Sequence, residues 1–140
     1  MEKIKISAHV PLAPEKVWEL FSEPEHIVQW NNASADWHTP RALNDLRVGG
    51  TFYYRMEARD GSSGFDFSGT YVDVVPPSRL AYVMDGEDHR HVDVTFAAVE
   101  ANTVVTIEFD PESENSIEMQ RSGWQSILNN FARYAESLAA

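Results

Sequence analysis

Between Thr51 and Phe109, apolar and polar residues alternate in one short run after another. That pattern restricts the fold more than any other feature of the chain. Successive side chains on a strand point to opposite faces, so a period of two makes a strand with one greasy side and one wet side. Thr51–Arg59 places Phe52, Tyr54 and Met56 on one face. Asp60-Gly61 and Ser62–Gly64 then signal a turn. Phe65–Val75 follows, and Gly69 inside it suggests a bulge or bend. A turn at Pro76-Pro77 leads into Arg79–Met84, which ends at Asp85-Gly86. His91–Val99 groups Val92, Val94 and Phe96, and Thr103–Phe109 groups Val105, Ile107 and Phe109. The expectation is an antiparallel sheet that wets one side and needs a cover on the other.

The cover lies at the end of the chain. Ile117, Trp124, Ile127, Leu128, Phe131, Ala135 and Leu138 recur at helical spacing and form a stripe about six turns long. Asn115 with Glu118 fits a capping box at its start. Within it, Gly123 beside Trp124 offers a gap next to the largest side chain. The pair is expected to shape the space between sheet and helix, one opening it and the other closing it. Ahead of the meander, Lys3–Val10 alternates like a strand. Ala13–Phe21 then changes to helical spacing, with Pro14 in the first turn and Val17, Trp18 and Phe21 as the apolar stripe. Ser22 with Glu25 fits a second capping box, for a short helix ending near Trp30. Asn31–Val48 reads as irregular. So long a connection is unusual unless it is functional or hides a short strand. The order is therefore a strand, two short helices, about six strands and one long helix.

Composition removes several functions. The chain has 140 residues and a formal net charge of −11, which disfavours nucleic acid and anionic membrane surfaces. It has no cysteine, which excludes disulfides and thiolate chemistry and fits a cytoplasmic setting. Glu2, Lys3 and Lys5 interrupt the apolar residues at the start, so no secretory leader is expected. No apolar run approaches the ~20 residues of a bilayer span.

Four segments resemble one family: APEKVWELFSEPEHIVQW, LRVGGTFYYRMEARDG, FSGTYVDVVPPSRLAYV and GWQSILNNFARYAE. They are similar to the AHSA group, named for the activator of the ninety-kilodalton heat-shock protein's ATPase, within the START/SRPBCC superfamily. The resemblance covers nearly the whole chain as one domain. It implies an α+β helix-grip fold like that of the birch allergen: a curved antiparallel sheet of six or seven strands around a long C-terminal helix and a deep hydrophobic cavity. The superfamily's fold serves lipid binding, polyketide cyclisation, hormone sensing and chaperone stimulation, so membership alone does not fix function.

Candidate chemistry is sparse. His89 and His91 alternate, and with Asp93 or Glu108 they have the makings of a metal site, but their parity sends them to the wet face. No metal, cofactor or catalytic residue is assigned. His38, beside Trp37, suits a cavity mouth. Asp66, between Phe65 and Phe67, is a candidate buried carboxylate with a raised pKa, although the alternation favours the solvent face, as it does for Glu108. Arg47 is either an anion holder or half of an ion pair. There is no G-x-S-x-G elbow, phosphate loop or zinc signature, and Ser62 in its turn lacks a paired histidine.

The apolar set says more. Phe52, Tyr54, Met56, Phe67, Tyr82, Met84, Phe96, Phe109, Met119, Trp124 and Phe131 are expected to share one interior, with Trp30, Trp37, His38, Gly123 and Ile127 around it. Two readings follow: a filled core, or the lining of a cavity for a small hydrophobic molecule, entered between the Asn31–Val48 loop and the start of the long helix. The leading functional expectation is ligand binding. The alternatives are a stress-response module that docks on a chaperone, and an enzyme of cyclase or dehydratase type. A monomer and a homodimer formed through an exposed sheet edge both fit.

Overall fold

The computed structural model describes residues 3–86 and 89–139. It contains β1 (Ile4–Val10), α1 (Pro14–Ser22), α2 (Pro24–Trp30), β2 (Trp37–Asn44), β3 (Thr51–Ala58), β4 (Gly64–Val75), β5 (Arg79–Met84), β6 (His91–Val99), β7 (Asn102–Phe109) and α3 (Ile117–Ser137). All strand pairs are antiparallel, in the order β1-β7-β6-β5-β4-β3-β2. The seven-stranded sheet curls into a half-barrel around α3, which is the helix-grip arrangement.

The alternation sets the sheet's two faces. Ile4, Ile6, Phe52, Leu80, Met84, Val92, Val94, Phe96, Val105 and Phe109 turn inward and are almost fully buried. The polar parity carries ion pairs outside, among them Arg79 with Asp73 and Asp93. Gln120, Leu128, Phe131 and Ala135 are the buried positions of α3. Ile117, Met119 and Leu138 stay exposed, so the stripe buries its middle and not its ends.

One open alternative is decided and three local expectations change. The Asn31–Val48 connection holds edge strand β2, whose pairing with β3 shifts between His38 and Arg41. Gly69 is not a bulge: it pairs in register with Phe52 and Met84, and the irregularity falls between Tyr71 and Asp73. Ser116, not Asn115, caps α3, its hydroxyl accepting from Met119 N at 3.1 Å. Ser22 does not cap α2 but ends α1, donating to the Trp18 carbonyl at 2.6 Å; Glu23 begins α2 with no side-chain cap.

α3 is tied down by polar contacts at both ends. Gln120 Nε2 donates to the carbonyls of Glu112 (3.1 Å) and Asn115 (2.8 Å), and its Oε1 accepts from Glu112 N at 2.8 Å. Asn130 Nδ2 donates to the Trp30 carbonyl at 2.8 Å, and the Tyr134 hydroxyl meets His26 Nδ1 at 2.7 Å.

Candidate functional site

The interior divides into a filled end and a hollow end. At the filled end, Phe21 stacks on Trp30 at 5.2 Å and meets Phe96 and Phe131 edge-on at 5.4 and 5.3 Å. Trp18 meets Phe96 at 5.3 Å, and Trp30 meets Phe131 at 4.9 Å. Such edge-to-face pairs leave little room between rings. At the other end Phe52 lies buried among Tyr54 (5.1 Å), Phe67 (5.4 Å), Tyr71 (5.6 Å) and Tyr82 (4.7 Å). Trp124 stacks on Phe109 at 3.9 Å and 13°, and faces Phe67 edge-on at 6.4 Å.

Between these two groups is a hollow of about 240 Å³. Tyr54, Met56, Phe65, Phe67, Tyr71, Leu80, Tyr82 and Met84 line it from β3, β4 and β5, Arg90 from just before β6, and Ile107 from β7. Trp124, Ile127 and Leu128 line it from α3, and Phe21, Ser22, Trp30 and Asn31 close it near α1 and α2. Phe65 is 48% exposed and packs on Trp37 at 5.9 Å, which marks the rim.

The polar groups of this lining are mostly engaged by the protein. Tyr71 Oη donates to Asn44 Oδ1 at 2.7 Å, and Asn44 Nδ2 donates to the Ser22 carbonyl at 2.6 Å. The Tyr54 hydroxyl is turned toward Tyr71. Trp30 Nε1 donates to the Leu20 carbonyl at 2.9 Å. Burial, which disfavours the phenolate, pushes Tyr54, Tyr71 and Tyr82 up from the ordinary value of 10.0, Tyr54 well up. At neutral pH all three are hydrogen-bond donors and not bases.

Eight of the sixteen residues singled out in the sequence meet at the hollow: Trp30, Tyr54, Met56, Phe67, Tyr82, Met84, Trp124 and Ile127. Phe52 and Phe109 lie behind the lining, and Phe96 and Phe131 belong to the filled end. Met119 is 65% exposed. Trp37 packs at the rim, and His38 turns toward Glu57, with Nε2 at 3.9 Å from its carboxylate. Gly123 is not in the lining, and a methyl group there would meet nothing within 4 Å, so no backbone approaches it.

Asp66 lies on the outer face, held below the ordinary carboxylate value by the Tyr53 hydroxyl at 2.8 Å and then by Arg55 at 3.2 Å. A raised pKa is therefore the wrong direction for it. His89 and His91 are exposed. Arg47 pairs with Asp45 at 3.0 Å. Among the described residues, ligating atoms of Glu23, Glu25 and His26 lie within 4.8 Å of one another, beside the clasp between His26 and Tyr134.

Ser22, Asn31, Tyr71 and Arg90 are the polar lining residues that the pattern passed over. Tyr71 shares parity with Phe65 and Phe67 and was legible from spacing. Arg90 follows a turn and belongs to no period.

The Activator of Hsp90 ATPase homolog 1-like protein family matches residues 11–136. The chain belongs to this family. The AHSA1-like protein from Aeromonas hydrophila is 48% identical, with 97% of this chain and 93% of that one covered and a TM-score of 0.91. A Cytophaga hutchinsonii protein is 44% identical over 97% of this chain and 93% of its own, with a TM-score of 0.82. The Aha1 dimer from Colwellia psychrerythraea covers 100% of both chains at 16% identity and a TM-score of 0.78, a likeness of fold. No curated protein matches the chain. No helix among the described residues is long and apolar enough to cross a membrane.

Proposed function

We propose that this member of the family binds a small hydrophobic or aromatic molecule in the hollow between the sheet and α3. The observation that carries the reading is the hollow itself: about 240 Å³ walled by aromatic rings and two methionines in an otherwise close-packed interior. Methionine adapts to irregular shapes, and Trp124 and Tyr82 offer flat faces for a ring. The entrance is proposed past Phe65 and Trp37. The test is native mass spectrometry of the purified protein, with thermal shift against a panel of lipids, flavonoids and aromatic polyketides. A true ligand at a hundred times its Kd stabilises the fold by about 2.7 kcal/mol. No shift across the panel and no copurifying mass would overturn the reading.

A second reading is a chaperone-associated module. The family's name and the exposed Ile117 and Met119 at the start of α3 favour it. Unchanged ATPase rates of a ninety-kilodalton chaperone, together with an empty pull-down, would remove it. A stress-response role belongs with this second reading, whereas a cytoplasmic setting and either a monomer or a homodimer are proposed with both. An enzymatic role would need a base in the hollow, and its tyrosines are held protonated.

A further inference from the structure

The hollow's walls describe the body of a ligand, and the donors that line it describe the head. Ser22, Trp30 and Tyr71 each donate to a protein oxygen, and Tyr54 turns toward Tyr71. The Tyr82 hydroxyl is different. It lines the hollow from β5 and makes no hydrogen bond to any described residue. A phenol O–H that opens onto the hollow with no protein acceptor is placed to donate to an incoming oxygen.

Beside it is Arg90. Its backbone carbonyl accepts from Met84 N at 2.8 Å, at the end of the strand that carries Tyr82, and its side chain lines the hollow. The guanidinium is near enough to Tyr82 to pull against the rise that burial causes. Among the described lining residues it is the one charged side chain. A guanidinium presents five N–H donors in a fixed fork, so it can hold a ligand oxygen alongside a protein partner.

Building on the binding reading above, we infer that the hollow selects an aromatic molecule bearing one carboxylate, with the rings among Phe67, Met84 and Trp124 and the carboxylate taken by Tyr82 Oη and Arg90. The net charge of −11 does not overrule this. Exposed carboxylates are screened over about 8 Å at physiological salt, whereas a charge inside the hollow is not.

The test compares three probes of one shape: 2-naphthoate, its methyl ester and 2-methylnaphthalene, titrated calorimetrically. In the wild type, naphthoate binds at least about tenfold more tightly than methylnaphthalene, the expected strength of charge-assisted hydrogen bonds. Arg90→Gln abolishes the preference for acid over ester. Tyr82→Phe weakens acid and ester alike and leaves the hydrocarbon unchanged, which also certifies that the variant is folded. Methylnaphthalene binding as tightly as naphthoate would overturn this inference and leave the binding reading standing. Failure of all three probes would overturn this inference, and the binding reading would still be decided by the panel and the copurifying mass. Because the comparison is decided within the wild type, a variant that does not fold cannot rescue the idea.

Discussion

Gly69 and Gly123 look alike in the sequence, each a gap in an apolar element, and they mean opposite things. A Cβ at Gly69 would lie 2.7 Å from Phe52 Cε2 and 2.7 Å from the Val83 carbonyl, so the missing side chain lets the Phe52 ring lie across the strand. Gly69→Ala is expected to cost about 1–3 kcal/mol in urea unfolding, the usual penalty of overpacking. Gly123→Ala, mid-helix and facing nothing within 4 Å, is expected to gain about 0.5–1 kcal/mol. Equal effects at the two sites would contradict this account. Spacing could not separate them, because what occupies the space beside a glycine is decided by the neighbouring strand. Asp66 teaches a similar lesson from the other side: parity put it outside, and only the tertiary partners Tyr53 and Arg55 show which way its pKa moves. Period places a side chain on a face; it does not name the groups across from it.

The elements most legible were those with one clean period. The half-greasy strands of the meander and the middle of α3 come directly from spacing, because burial on one side is what makes the spacing necessary. β2 was harder to see. Trp37–Asn44 is an edge strand with a register shift and Pro40 inside it, and a proline, lacking an N–H, signals a loop more strongly than a strand. The edge position is what makes it tolerable. Helix ends were misread by one residue, since Asn115 and Ser116 are both good caps. The two make a direct test. Ser116→Ala removes the bond to Met119 N and should cost about 1 kcal/mol in chemical denaturation. Asn115→Ala keeps the backbone N–H that donates to Glu112 and the carbonyl that serves Gln120, and should cost little. A larger loss from the second variant would return the cap to Asn115.

At the scale of the whole molecule, the half-filled interior and the alkaline stability of the fold are one matter. Aromatic packing from α1, α2, β6 and α3 closes one end, and at the other three phenols sit on the wall of the hollow. Tyr54, Tyr71 and Tyr82 keep their protons in the folded state well past the pH at which they would lose them when unfolded. An acid with a raised folded pKa binds more protons native than unfolded. Its contribution is therefore fully present below the unfolded value of 10.0 and drains away as pH rises above it. Each such phenol withdraws about 1.4 kcal/mol per pH unit, so three acting together withdraw about 4 kcal/mol per unit. Total stability is commonly about 5–15 kcal/mol. The fold is thus expected to collapse within a few units above pH 10 rather than ionise in place. Tyr53 and Tyr134 lie outside the hollow and are free to ionise in the folded protein, but the tyrosinate absorbance of the other three should appear together with the loss of circular dichroism, with a shallower approach in the Tyr54→Phe, Tyr82→Phe double variant. More than two tyrosinates formed near pH 10 while the dichroism stays native would mean that water already fills the hollow, and the apolar site would go with it.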